Sequence, residues 1–373
     1  MLINIQKSNL KLGIIAGGQL GKMLIQEASK WDITTYVLDD DISSPASSIS
    51  TFFQKGSRLD YKTVYQFGKK VDILTFEIES INIEALLKLQ NEGILIVPDP
   101  KILQLFQNKE AQKAFYLANG LPAVRQHATV PLELPFVQKL KTGGYDGRGV
   151  FVVKNQQDMS QMLEGDSIYE DFVDIKKEIA VIVARNKKGQ IQSFPAVELV
   201  FNKEANLVER LICPADITKE QHEKAKELSH FLIDKLEMSG LLAIEFFIDS
   251  NGNLIINEAA PRPHNSGHHT IESVMTSQYE QHIRAILNLP LGSTEIKMPS
   301  VMLNLLGEPG YIGNVLYEGL EDALAIDGVK IHLYGKKITK PFRKMGHITI
   351  IDKKINVALE KADRVNKLLR VKS

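Results

Sequence analysis

A doubly wound parallel sheet of the α/β class, followed by antiparallel α+β units, is the fold class the sequence predicts. Two observations carry it. Up to about residue 105 strand and helix signals alternate, the pattern of a parallel sheet with helices on its faces. Beyond Gly120 and Pro122 the character changes to apolar strands paired about glycine-rich turns, the pattern of hairpins. A chain of 373 residues is also too long for one ordinary core, so two or three domains are expected.

In chain order, residues 12–16 are a short apolar strand, followed by a glycine-rich turn and a helix over 20–29. Residues 34–38 are a second strand ending in Asp39, Asp40 and Asp41, and the serine-rich stretch 42–50 is a surface connection. Another strand, 71–76, carries Glu77 and Glu79 at its carboxyl end, and 93–97 closes the pattern before Pro98 and Pro100. The helix expected over 109–119 is stopped by Gly120 and Pro122. Strands at 136–141 and 150–154 then flank a second glycine cluster. A helix over 220–235, a hairpin over 241–258 and a helix over 271–287 follow. The last stretch, about 300–373, is a small strand-rich unit closed by a helix over 356–369.

Charge and composition exclude several function classes. Lys+Arg and Asp+Glu both total 45, so no global field attracts nucleic acid or an anionic membrane, although a local cluster can still bind a small anion. The one cysteine, Cys213, excludes an internal disulfide and fits a reducing compartment. The first twelve residues lack the apolar run of a secretory signal. No apolar run approaches the ~20 residues needed to cross a bilayer. A cytoplasmic protein is expected.

Two glycine clusters invite a phosphate reading. Ala16-Gly17-Gly18-Gln19-Leu20-Gly21 follows a strand and opens a helix, with acids about 20 residues on, as in the dinucleotide fingerprint, except that Ala16 replaces the first glycine. The plain reading is a tight turn with no nicotinamide, whose helix N-terminus can still hold an anion. Gly143-Gly144-Tyr145-Asp146-Gly147-Arg148-Gly149 lies instead between two strands and lacks the Lys-Ser/Thr pair of a Walker loop. A glycine hairpin of this kind can fold over polyphosphate, because glycines let backbone N–H groups approach the oxygens. Lys139 just before it supplies positive charge. A flexible surface hairpin is the alternative.

Asn251-Gly252 between two apolar runs is a strong hairpin signal. Taken as the two turn residues, they pair Ser250 with Asn253 and, counting outward, Glu245 with Glu258. Opposed like charges about 5 Å apart are destabilising. A magnesium ion resolves the conflict, since carboxylates and nucleotide phosphates are its usual ligands. Protonation, or a salt bridge to Arg262, is the alternative. In the stiff, polar stretch 259–269, zinc at the three histidines is disfavoured, there being no cysteine partner and a rigid pair of prolines. An anion pocket of Arg262, His264 and Asn265 is favoured.

These motifs, in this order over nearly the whole chain, resemble the N5-carboxyaminoimidazole ribonucleotide synthetase family of ATP-grasp enzymes. Thr75-Phe76-Glu77-Ile78-Glu79, Asn257-Glu258, Pro261-Arg262-Pro263-His264-Asn265-Ser266-Gly267-His268, His332-Leu333-Tyr334-Gly335-Lys336 and Arg343-Lys344-Met345-Gly346-His347 add to the glycine clusters. The resemblance implies the ATP-grasp fold: a pre-ATP-grasp domain over 1–108, a lid over 109–184 and a C-terminal domain over 185–373. It implies ATP bound by Lys109, Lys139, the 143–149 loop, Glu170, Asp171, Phe172, Val173, Glu178, Asn257 and Glu258. Magnesium, or manganese, would sit on Glu245 and Glu258. Bicarbonate would meet Arg262, His264 and Asn265, which with Lys139 form the catalytic set. Aminoimidazole ribonucleotide would be held by Gln19, Glu77, Tyr145, Asp146, Lys336, Arg343 and Lys344. A homodimer in purine biosynthesis is implied as well, with neither nucleic acid nor membrane as partner.

Read alone, Lys336, Arg343 and Lys344 are more often a solvated basic strand. Lys109, Phe201, Lys340 and Phe342 depart from residues common in the family. Ala260 stands where a biotin carboxylase carries asparagine. A formate-dependent glycinamide ribonucleotide transformylase and a non-catalytic nucleotide sensor are the remaining rivals.

Overall fold

The computed structural model describes residues 9–144, 149–202 and 207–373. Five parallel strands open the chain, in the order Phe52–Lys55, Thr34–Asp39, Lys11–Ile15, Ile73–Phe76, Leu95–Ile96. The chain winds one way from Lys11–Ile15 and then the other, so a crevice opens beyond the carboxyl ends of Lys11–Ile15 and Ile73–Phe76, the usual place for a ligand in such sheets. The glycine turn and Glu77 both sit at these ends. The edge strand Phe52–Lys55 and the helices Tyr61–Gly68, Ile83–Asn91 and Pro100–Phe106 are not foreseen in the pattern of strands and turns above. Their available signals are the caps: Asp60, Asn82 and Asp99 accept backbone N–H groups of Thr63, Ala85 and Lys101.

A small antiparallel sheet follows, ordered Gln126–His127, Ser167–Asp171, Phe136–Leu140, Val150–Val153. The next strand, Ile175–Arg185, belongs to a larger sheet ordered Leu254–Ala260, Gly240–Asp249, Ile175–Arg185, Val197–Asn202, Leu207–Cys213, Ser300–Leu306, Lys344–Ile351, Val329–Leu333, with Ile191–Ser193 beside Ile175–Arg185. Helix Lys219–Lys235 buries Leu228, Leu232 and Ile233 against strands Leu254–Ala260, Gly240–Asp249 and Ile175–Arg185 at one end of this sheet. Helix Ile355–Leu368 covers its far end through Ala358, Ala362 and Val365.

The helix expected over 271–287 is two helices, Thr270–Ser273 and Gln278–Ile286. Val274 between them is extended, buried and bridged to Ile296, and Ser277 caps the second helix by accepting from Glu280 N–H. Tertiary burial of a β-branched residue breaks the helical run here. The second helix packs Tyr279, Ile283 and Ile286 into the same core as Leu12, Ile14 and Leu24. Through Ala285 the same helix also packs on Ile182, Ala184, Leu241 and Ala243, and so joins the N-terminal sheet to strands Ile175–Arg185 and Gly240–Asp249 of the large one. Among the described residues no helix is long and apolar enough to cross a membrane.

Candidate active site

Glu245 and Glu258 are cross-strand partners, as expected, but not by the expected turn. Asp249, not Ser250, faces Asn253: Asp249 N–H donates to Asn253 C=O at 3.1 Å, and Ser250, Asn251 and Gly252 form a three-residue loop. This shifts the register by one, and the pairs run Ile248 with Leu254, then Phe246 with Ile256. A β-bulge then takes up Asn257 as an extra residue and restores the pairing of Glu245 with Glu258. A bulge bends its strand and re-aims a side chain, and it lets Asn257 and Glu258 serve the same cleft.

Into that cleft reach two lysines from the other units. Lys109, the first residue of helix Lys109–Ala118, pairs with Glu258, and Asn108 caps the helix by accepting from Glu110 and Ala111 N–H. Lys139, on the small sheet, donates to Asn257 Oδ1 at 2.8 Å and meets Glu170 Oε2 at 2.8 Å. Glu170 also meets Lys113 Nζ at 2.9 Å, one helical turn beyond Lys109. Lys113 is absent from the residues singled out in the sequence, although its four-residue spacing from Lys109 was a signal. Burial would push Glu170 up, but Lys139 and Lys113 outweigh it and hold the carboxyl below its ordinary value.

Charge in the pair is divided. Burial, and then the neighbouring Glu258, push Glu245 upward. Glu258 is also desolvated, yet Lys109 and Lys139 draw it down and keep it ionised. Two opposed carboxylates with all-oxygen donors fit a magnesium ion, which takes one or two carboxylates and completes its shell with phosphate and water. The described residues contain no cluster of three or more metal-ligating side chains.

Glu178, on Ile175–Arg185, is pushed up to about 7, chiefly by burial. Asp171 Oδ1 lies 2.5 Å from His127 Nε2, Phe172 is exposed and Val173 half-buried. Gly143 and Gly149 both adopt positive φ, 80° and 78°, which a side chain would resist. Tyr145, Asp146, Gly147 and Arg148 lie outside the described residues.

The polar turn after the bulged strand closes one side of the cleft. Arg262 Nε donates to Glu79 Oε1 at 2.8 Å and its Nη1 to Pro263 C=O at 3.1 Å, joining this turn to the N-terminal sheet. His264 Nε2 is 3.8 Å from Glu245 Oε1, and its Nδ1 is 2.9 Å from Ser266 Oγ. Asn265 exchanges amide hydrogen bonds with Asn304 at 2.9 and 3.1 Å. The sequence marks Glu79 at its strand end but not its pairing with Arg262, and it does not mark Asn304 at all, since nothing local to Arg262 or Asn265 announces either partner.

The first glycine turn carries no vacant nucleotide-phosphate cradle. Gly18 and Gly21 N–H both donate to Glu77, and Gly17 N–H donates to Asp39 Oδ2 at 2.6 Å. These three N–H groups are thus taken by the protein's own carboxyl groups. Burial pushes Glu77 upward despite those two N–H donors. Gln19 begins the helix that these carboxylates cap. One turn on, Lys22 Nζ donates to Leu333 and Tyr334 C=O at 3.0 and 3.1 Å and so brings Lys336, Arg343 and Lys344 to the same crevice. Lys336 donates to Lys344 C=O at 2.7 Å, and Arg343 to Ile338 C=O at 2.6 Å. Phe342 bends the chain there with φ of 61°.

Family models match the chain in three consecutive pieces: a ribonucleotide synthetase preATP-grasp domain over 10–107, an ATP-grasp domain over 104–279 and a phosphoribosylaminoimidazole carboxylase C-terminal domain over 300–361. The N5-carboxyaminoimidazole ribonucleotide synthase of Bacillus subtilis is 37% identical over 354 residues, 91% of either chain. Several relatives named phosphoribosylaminoimidazole carboxylase are longer, and the chain spans 63–66% of their length. Among solved structures, the N5-carboxyaminoimidazole ribonucleotide synthetase of Thermotoga maritima superposes with TM-score 0.91 at 44% identity, covering 98% of this chain and 99% of that one. An Aspergillus clavatus N5-carboxyaminoimidazole synthase in complex with ADP and 5-aminoimidazole ribonucleotide superposes with TM-score 0.88 at 32% identity, covering 96% and 98%.

Proposed function

The chain belongs to the N5-carboxyaminoimidazole ribonucleotide synthetases, and from that membership we propose how its residues divide the reaction. The protein is an ATP-dependent carbon–nitrogen ligase of purine biosynthesis that carboxylates 5-aminoimidazole ribonucleotide. Lys109, Lys139 and the 143–149 loop hold the ATP phosphates, while residues 170–173 and Glu178 receive adenine and ribose. Magnesium or manganese held by Glu245 and Glu258 would draw charge from the β and γ phosphates. Bicarbonate rests on Arg262, His264 and Asn265. Its oxygen attacks the γ phosphorus, ADP leaves, and carboxyphosphate forms with Lys139 sharing the charge.

Carboxyphosphate then breaks its carbon–oxygen bond to give phosphate and CO2. The exocyclic amine of the ribonucleotide takes up the CO2 and sheds a proton. Gln19, Glu77, Tyr145, Asp146, Lys336, Arg343 and Lys344 hold the ribonucleotide beside it. Exclusion of water by the glycine loop protects the intermediate. A homodimer at work in the cytoplasm completes the reading, on the strength of the family resemblance, and sedimentation velocity tests the dimer.

The observation that carries the reading is the 3.8 Å separation of His264 Nε2 and Glu245 Oε1, which joins the carboxylate pair to the anion turn in one cleft. The test is ADP release with ATP, magnesium, aminoimidazole ribonucleotide and bicarbonate, each omitted in turn. Release that requires the ribonucleotide, matched by an acid-labile carbamate from labelled bicarbonate, is expected. Release that ignores the ribonucleotide overturns the reading.

A further inference from the structure

Three side chains of the large sheet form one row: Asn304 pairs with His347, and His347 with His332, across adjacent strands. Partners in register share a face. Their neighbours Leu303, Leu305 and Ile348 point into the core beneath helix Ile355–Leu368, so the row lies on the opposite face. Against it runs the segment that follows Arg262, a 3₁₀ turn over Asn265–Gly267 leading into helix Thr270–Ser273. Spacings of three and four residues bring Asn265, His268 and Glu272 onto one side of such a segment.

The two rows meet residue by residue. Asn265 and Asn304 exchange amide hydrogen bonds. The His268 ring stacks on His347 with centroids 4.6 Å apart and 28° between planes. Glu272 Oε1 lies 2.7 Å from His332 Nε2. His347 and His332 also stack, at 4.4 Å and 7°.

The first rung has a defined orientation, and Gln278 and Tyr279 hold the second. Asn304 Nδ2 donates to Val208 C=O at 2.7 Å, so its Oδ1 must be the acceptor for Asn265 Nδ2. Gln278 exchanges hydrogen bonds with the His264 backbone, donating through Nε2 and accepting through Oε1. Its Nε2 lies 3.4 Å and Tyr279 Oη 2.9 Å from His268 Nδ1. His268 stacks as a neutral ring, since burial holds it far below its ordinary pKa.

We infer that Asn304, His347 and His332 are positioning residues for the carboxylation, keyed to Asn265, His268 and Glu272. They hold the turn of Arg262, His264 and Asn265 in register with the strand that carries Lys344. The inference rests on the proposed reading of that turn as the bicarbonate site and of Arg343 and Lys344 as ligands of the substrate phosphate. Asn265 follows His264 directly, and His347 lies three residues after Lys344, so a slip at any rung separates the carboxyl donor from the accepting amine. Carboxyphosphate that breaks down out of reach of the amine still yields ADP, so the signature of a loosened seam is ADP released without carbamate.

The experiment uses full-length enzyme with ATP, magnesium, aminoimidazole ribonucleotide and labelled bicarbonate, reading ADP and acid-labile carbamate in parallel for wild type, Asn304→Ala, His347→Ala and His347→Phe. A misplaced group costs of order tenfold to a hundredfold. Asn304→Ala and His347→Ala should accordingly raise the bicarbonate KM by about tenfold and the ADP-to-carbamate ratio with it, leaving the ATP KM within about twofold. His347→Phe keeps a ring between His268 and His332 and should restore the ratio. A merely structural role would lower the active fraction and melting temperature without moving the ratio. Wild-type ratios in both alanine variants, with wild type itself active, overturn the inference. A wild type whose ADP release ignores the ribonucleotide fails the functional reading instead.

Discussion

Glu245 and Glu258 face one another across antiparallel strands immediately beyond a bulge at Asn257, and Lys109 leans on Glu258. Lys109 and Lys139 keep Glu258 ionised, while burial and Glu258 push Glu245 upward.

Glu245→Gln should therefore leave the free protein unchanged or slightly stabilise it, because burial and Glu258 already push Glu245 toward the neutral form that Gln mimics. The same change should lower kcat by about 10²–10³, the usual loss when a charge-stabilising group is removed. Thermal melts with and without magnesium–ATP check the first half, and turnover the second. A clear fall in the melting temperature of the free protein would contradict the reading of the pair.

Glu178 supplies a pH dependence. Its folded pKa of about 7 lies above its ordinary 4.5, so the folded protein holds a proton through that window which the unfolded chain has released. The resulting stability is present in full below pH 4.5 and is lost as pH rises through about 7. A ribose hydroxyl donates best to an ionised carboxylate, so ATP affinity should run the other way. It should strengthen by about tenfold from pH 6 to 8, the span over which one group of this pKa ionises. Calorimetric titration across that range should lose the slope in Glu178→Gln.

Lys113 and Lys139 flank Glu170, and both pairs are nearly dry. Lys113→Met leaves Glu170 with one cation in place of two and should cost about 1–3 kcal/mol in urea unfolding. Glu170→Gln alone leaves two buried lysines without an anion and should cost more, and it should cost less in the Lys113→Met chain, where one of those cations has gone. A double-mutant cycle with no coupling would show the contact to be incidental.

Glu77 accepts from two backbone N–H groups through its two oxygens. Glu77→Gln turns one acceptor into a donor that confronts an N–H, and should cost about 1–2 kcal/mol while raising the KM for aminoimidazole ribonucleotide. Chemical denaturation and ribonucleotide titration report the two effects separately.

Much of the architecture was legible because local signals agreed with it: alternating strands and helices, a glycine turn after a strand, an Asn-Gly loop between apolar runs. The Asn-Gly signal predicts a two-residue loop where three residues lie, and the bulge at Asn257 makes good the difference in the carboxylate pairing. A bulge has no local signature in so apolar a strand. Likewise nothing near residue 274 announces that Val274 will be drawn out of a helix into a distant core.

By itself the sequence determined the order of the units, the chemistry available at each motif and the absence of any global charge. Those follow from composition and from spacings of a few residues. Tertiary structure alone decided that Glu77 fills the glycine turn, that Glu79 holds Arg262 and that Asn304 sets Asn265. Each joins groups at least 39 residues apart in the chain, and the Glu79–Arg262 pair spans 183. Pairings of such length are fixed by which surfaces the cores bring together, since no local preference reaches so far along a chain.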